Sequence, residues 1–148
     1  MATNFLWSPP DATVTVFTSQ LDTLGNGSFS AASAAILNET DSTNKLRQYL
    51  DLELVLAALS PATGAFVDVW IGYTLDGTNF ADLGKPLQVS AYLTTFQLDT
   101  AAATAQRIIQ ANVIIAPLDF KLMLRNMAGV SFGTGNTLKI RRHFEQGL

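Results

Sequence analysis

Few residues in this chain have both the type and the spacing that chemistry needs. Asp76-Gly77-Thr78-Asn79 puts a carboxylate, a hydroxyl and an amide side by side, between Tyr73 and Phe80. Such oxygen-rich loops can hold calcium, but an EF-hand loop needs ligands at several alternating positions and a closing Glu. Here Asp82 is the next acid, and no Glu follows nearby. Asp-Gly between apolar runs is also a hairpin signal, because glycine takes positive φ without steric cost. Thr78 and Asn79 can bond the local backbone, and a turn is the expectation.

Asp51 and Glu53 share a strand face, roughly 7 Å apart at a rise of ~3.3 Å per residue. Paired carboxylates hydrolyse glycosides when burial raises the pKa of one of them. Those pairs come from separate elements, so a solvated strand face is the simpler reading. His143 is the single histidine and sits beside Arg141 and Arg142, which disfavour its protonated form. One histidine rules out a three-histidine metal site within one chain, and zero cysteines rule out thiolate ligands and nucleophiles. No phosphate-binding, dinucleotide-binding, nucleophile-elbow or zincin motif occurs. We therefore assign no catalytic, cofactor or metal residue and expect a protein that is not an enzyme. Lys139, Arg141 and His143 lie on one strand face, either as contacts for an acidic partner or as an ordinary solvated surface. Trp70 can stack on a sugar or, with Phe66 and Tyr92, line a covered face.

The elements that position these residues alternate with period two. In 49–59, Leu50, Leu52, Leu54, Leu56 and Ala58 share one face, and Tyr49, Asp51, Glu53, Val55 and Ala57 the other. In 65–75, Val67, Val69, Ile71, Tyr73 and Leu75 oppose Phe66, Asp68, Trp70, Gly72 and Thr74. Pro61 and Gly64 mark the turn between them. Further strands are expected over 12–19, 86–98, 107–115, 120–126 and 137–144. The stretch 27–37 has helix-compatible alanines but is read as a strand. About eight strands without a long helical pattern predict an all-β, two-sheet antiparallel sandwich of jelly-roll type. Residues 12–148 form this domain. Residues 1–11 read as an extended N-terminal arm, because Pro9 and Pro10 bar a helix. Exposed Phe5, Leu6 and Trp7 are costly, so a neighbouring subunit or the chain's own sandwich must cover them.

The composition is 48% hydrophobic and 14% charged, against about 25% charged in average proteins. So apolar a chain suits an exterior partly covered by other subunits. Residues 1–106 carry three basic and ten acidic residues, and residues 107–148 carry six and two. Such a dipolar subunit can dock on copies of itself or on a charged partner. A pI near 4.9 without a dense Lys/Arg stripe argues against nucleic acid. No apolar run reaches membrane-spanning length, and the start lacks the pattern of a secretory signal.

Three stretches carry a resemblance. VTVFTSQLDTLGNGSFSAASAAILNET (14–40) has a Leu–Gly–Asn–Gly turn leading into a Ser/Ala-rich strand. VDVWIGYTLDGTNFAD (67–82) has a central strand and an Asp-Gly-Thr-Asn turn. PLDFKLMLRNMAGVSFGTGNTLKIRRHFEQ (117–146) has an Asn126–Gly129 break and a Gly135-Asn136 turn. Together they resemble small virion proteins of tailed bacteriophages. The resemblance implies a capsid decoration, or cement, protein: a β-sandwich that assembles as a homotrimer over junctions of the major capsid protein, on the virion surface. Phe5, Leu6 and Trp7 would then anchor against a neighbour, and Lys139, Arg141 and His143 would set charge complementarity. The alternative is a carbohydrate-binding or structural module of a phage tail, neck or head fibre.

Overall fold

Alternation of large apolar and polar side chains decides the architecture. A computed structural model describes residues 5–7, 9–39, 47–83, 92–100 and 103–147. Its strands are β1 (Phe5–Trp7), β2 (Val14–Phe17), β3 (Tyr49–Leu59), β4 (Phe66–Tyr73), β5 (Tyr92–Gln97), β6 (Thr104–Ile114), β7 (Phe120–Met127), β8 (Thr137–His143) and β9 (Glu145–Gly147). A 3-10 turn spans Ser19–Leu21, and no α-helix occurs among the described residues. The chain is all-β. One antiparallel sheet has the order β2-β8-β3-β6, a second has β5-β4-β7, and β1 pairs antiparallel with β9. Residues 86–91 of the expected fifth strand, Met1–Asn4, Ser8 and the end of the 14–40 stretch lie outside the described residues.

The inner faces of the two large sheets meet in one core. Leu50, Leu52, Leu54 and Leu56 from β3 join Leu138 and Ile140 from β8. Opposite them are Val67, Val69 and Ile71 from β4, Leu122 and Leu124 from β7, and Phe96 from β5. Burying each such side chain contributes about 1.5–3 kcal/mol relative to leaving it in water. The expected leucine face of β3 holds as far as Leu56. Then the register to β6 shifts between Leu56 and Leu59, so Leu59 is buried and Ala58 exposed. One extra residue reverses the parity of a strand. Leu75, expected on the core face of β4, is 88% exposed, because β4 ends at Tyr73, before the turn.

The expected strand within 27–37 takes a form that period two does not describe. It bridges β7 at Phe29↔Arg125 and Ile36↔Phe120. The N–H groups of Ser30, Ser33 and Ile36 donate to the carbonyls of Leu124, Leu122 and Phe120. The segment thus advances three residues for every two of β7. The sequence Ser30-Ala31-Ala32-Ser33-Ala34-Ala35 is built for that mismatch. The hydroxyls of Ser30 and Ser33 accept from the N–H groups of Leu124 (3.1 Å) and Leu122 (3.0 Å). They donate to the carbonyls of Ala31 (2.8 Å) and Ala34 (2.7 Å). Two side chains therefore complete a ladder that the backbone alone cannot follow.

The N-terminal stretch is tied to the body at Asp11. Its carboxylate meets Arg47 Nη2 at 2.6 Å, with side chains 6% and 9% exposed respectively. Arg142 Nε lies 3.3 Å from the other oxygen. The Asp11 N–H donates to the Arg142 carbonyl, and the Arg47 guanidinium stacks on the Phe144 ring. Asn38 closes the nearby stem: its side chain donates to the Arg47 carbonyl and accepts from the Arg47 N–H.

Candidate docking face

The outer face of the four-stranded sheet gathers most of the residues singled out for charge. β3 lies between β8 and β6, and the register sets Asp51 opposite Arg141, Glu53 opposite Lys139, and Tyr49 opposite His143. Lys139, Arg141 and His143 therefore do share a face, but it is not purely basic. Arg141 Nη2 is 2.8 Å from Asp51, and Lys139 Nζ is 3.5 Å from Glu53. His143 is buried, stacked on Tyr49, with Nε2 3.1 Å from Asp51. It is thus not available as an outward contact. A carboxylate only accepts, so this Nε2 carries the proton between them. The acids and bases that looked like separate solvated features are cross-strand partners, because the pairing register brings them together.

Asp51 is the hub. Besides Arg141 and His143 it accepts the N–H of Asn112 at 2.9 Å. Asn112 has φ 56°, a left-handed conformation that asparagine tolerates better than most residues. The β3–β6 register shifts there, between Leu50 and Leu52. The side chain thus fills the acceptor place left by a bulge. Burial pushes the Asp51 pKa up, but the Asn112 N–H, Arg141 and His143 outweigh it and hold the carboxyl below its usual value. A depressed carboxylate stabilises the fold fully above the unfolded pKa and ceases to do so as pH falls through the folded one. Replacing Asp51 with Asn should cost about 2 kcal/mol at pH 7, since part of the site is solvent-screened. Urea unfolding across pH should also show a shallower loss of stability for Asp51→Asn than for the parent below about pH 5.

A groove of about 450 Å³ runs over this face, lined by Glu53, Arg107, Ile109, Lys139 and Arg141 among others. Arg107 Nη1 is 3.8 Å from Glu53. Ile109 and Ile114, both on β6 at the sheet edge, are 60% and 75% exposed. Sequence reasoning missed Arg107 and both isoleucines. Period two puts Arg107 and Ile109 on one face, whereas Ile114 reaches that face only through the register shift near Asn112, which the sequence of β6 alone does not show.

On the other sheet, Trp70 is buried, edge-on to Phe29 and to Tyr92 at 5.9 and 6.0 Å between centroids. Asp76 accepts from the N–H groups of Asn79 (2.7 Å) and Thr78 (2.8 Å), from the Asn79 amide, and from the Thr74 hydroxyl. These bonds, the Asn79 N–H foremost, hold its carboxyl far below the usual range. Gly77 has φ 74°. The Asp-Gly-Thr-Asn stretch is a turn whose carboxylate is occupied by its own loop. Among the described residues no acid and histidine cluster has metal-ligand geometry, and no helix is long and apolar enough to cross a membrane. Phe5–Trp7 pairs with Glu145–Gly147, in register Phe5↔Gly147 and Trp7↔Glu145. The anchoring expected of the Phe5, Leu6 and Trp7 side chains lies outside what is described. No protein-family model and no curated protein matches the chain.

Proposed function

We propose that this chain is a capsid decoration protein of a tailed bacteriophage, a homotrimer that binds the assembled head and bridges major capsid protein subunits. The observation that carries the reading is the order of strand pairing. With the serine–alanine segment counted as an edge strand after β2, the eight strands from β2 to β8 pair first with eighth, second with seventh, third with sixth and fourth with fifth. That order supports a jelly roll, one long hairpin rolled into two sheets, a fold that viral capsid and lectin domains share. Because a fold alone does not assign a role, the reading also rests on the resemblance of the three stretches to phage virion proteins.

The role follows from linkage. A protein that binds only the assembled shell lowers the free energy of that state, by about 2.7 kcal/mol per site at a free concentration 100-fold above its Kd. A trimer adds multivalency. Co-sedimentation with shells that lack the protein tests this, with monomeric major capsid protein as control. Saturable binding to shells alone is expected, and no binding refutes the reading. Removing residues 1–10 deletes β1 but leaves Asp11 in place, and is expected to weaken shell binding without unfolding the four-stranded and three-stranded sheets. Unchanged affinity would remove the arm from the mechanism.

One feature favours the alternative of a carbohydrate-binding module on a tail, neck or head fibre. Tyr92 is 44% exposed, and its hydroxyl donates to Thr95, which in turn donates to Asp68 at 2.7 Å. A ring held by a hydroxyl relay is a platform on which a sugar can stack. Glycan-array binding abolished by Tyr92→Ala would shift the weight to this reading.

A further inference from the structure

We infer that the groove over the four-stranded sheet binds the carboxylate side chains of an extended acidic segment of a partner protein. This rests on the decoration reading only for the partner's name, which would be the major capsid protein. The groove lining holds three cations, Arg107, Lys139 and Arg141, against two carboxylates, Asp51 and Glu53. Those carboxylates are unequally engaged. Asp51 is saturated by Asn112, Arg141 and His143. Glu53 is shared by Lys139 and Arg107 at 3.5 and 3.8 Å, which are ion-pair separations longer than ordinary hydrogen bonds.

The donors of Arg107 and Lys139 thus stand on either side of β3 and are directed at Glu53 only loosely. Their side chains are 66% and 36% exposed, so a guest carboxylate meets them at small desolvation cost. A guanidinium accommodates such a carboxylate in a two-pronged bond. Ile109, exposed in the same lining, asks for an apolar neighbour. A guest that satisfies both alternates acid with apolar residues, as an extended strand does. A free small anion would leave Ile109 uncovered.

The test uses a dye-labelled heptapeptide alternating Glu with Val and Ile, and a matched peptide with Lys in place of Glu. Fluorescence anisotropy is read at about 50 mM and about 500 mM salt, since exposed charges are screened between these limits. Saturable binding of the acidic peptide alone is expected, weakened by salt and by at least about tenfold in Arg107→Glu. Lys139→Gln, which keeps the side-chain stem, is expected to weaken it less. Thermal melts of both variants control for folding. No saturable binding, or equal binding by Arg107→Glu, overturns the proposal. The same variants go into the shell assay. Peptide binding without shell binding would leave the groove standing and remove the decoration reading. Shell binding unchanged by Arg107→Glu would keep the decoration reading and remove the major capsid protein as the partner of the groove.

Discussion

Asp11→Ala is expected to lower stability by about 4 kcal/mol, the usual cost of removing one partner from a buried ion pair. At a urea dependence of about 2 kcal/mol per molar, the unfolding midpoint falls by about 2 M. Arg47 and Asp11 are both nearly excluded from solvent, and Arg142 approaches the same carboxylate. Alanine leaves two guanidiniums around an emptied acceptor, and neither can lose its charge. Arg47→Met should cost less, because Asp11 keeps Arg142 and the methionine retains an apolar stem beside Phe144. If Arg47→Met proves the more damaging, the carboxylate is not the centre of the cluster.

The second large effect belongs to the serine–alanine segment. Ser30→Ala with Ser33→Ala removes the acceptors of two buried N–H groups, those of Leu122 and Leu124. Leaving each unsatisfied costs about 1–3 kcal/mol, so the double variant should lose about 4 kcal/mol. Amide exchange gives the sharper readout. Protection should fall first at Leu122 and Leu124, while the β3 amides keep theirs until global unfolding. Single variants should each lose about half as much, since the two hydroxyls serve different amides. Threonine keeps the hydroxyl, so Ser33→Thr should preserve exchange protection at Leu122. Equal loss by alanine and threonine would mean that the serines act through size alone.

Much of the sandwich was legible because its signal is local. The leucine alternation of 49–59 marks β3 to both its ends, Tyr49–Leu59, and Asp76-Gly77 marks its turn. The misses were of two physical kinds. Ala58 and Leu59 changed places because a bulge depends on the partner strand, which alternation within one strand does not reveal. The stretch 27–37 was expected to be a strand and does bridge β7, but its advance of three residues for every two of β7 depends on the partner strand. For the candidate site, Lys139, Arg141 and His143 were correctly grouped on one face. What lay opposite them was hidden, since Asp51 and Arg141 are ninety positions apart and only the register joins them. The partners of Asp11 were hidden for the same reason: Arg47 and Arg142 are distant from it in sequence.

The strand pairing also sets the order of events during synthesis. β8 is an interior strand of its sheet, lying between β2 and β3, yet of the four strands of that sheet it is made last. Until Thr137–His143 has left the ribosome, β2 has no neighbour, and Asp11 has no Arg142 to hold it. Non-local strand pairing of this kind is slow, on the order of milliseconds to seconds. The chain therefore waits, with β3 and β6 able to pair but one side of β3 open, until β8 emerges. Loss of β8 would not shorten the sheet by one strand alone: it would take the edge strand β2 with it.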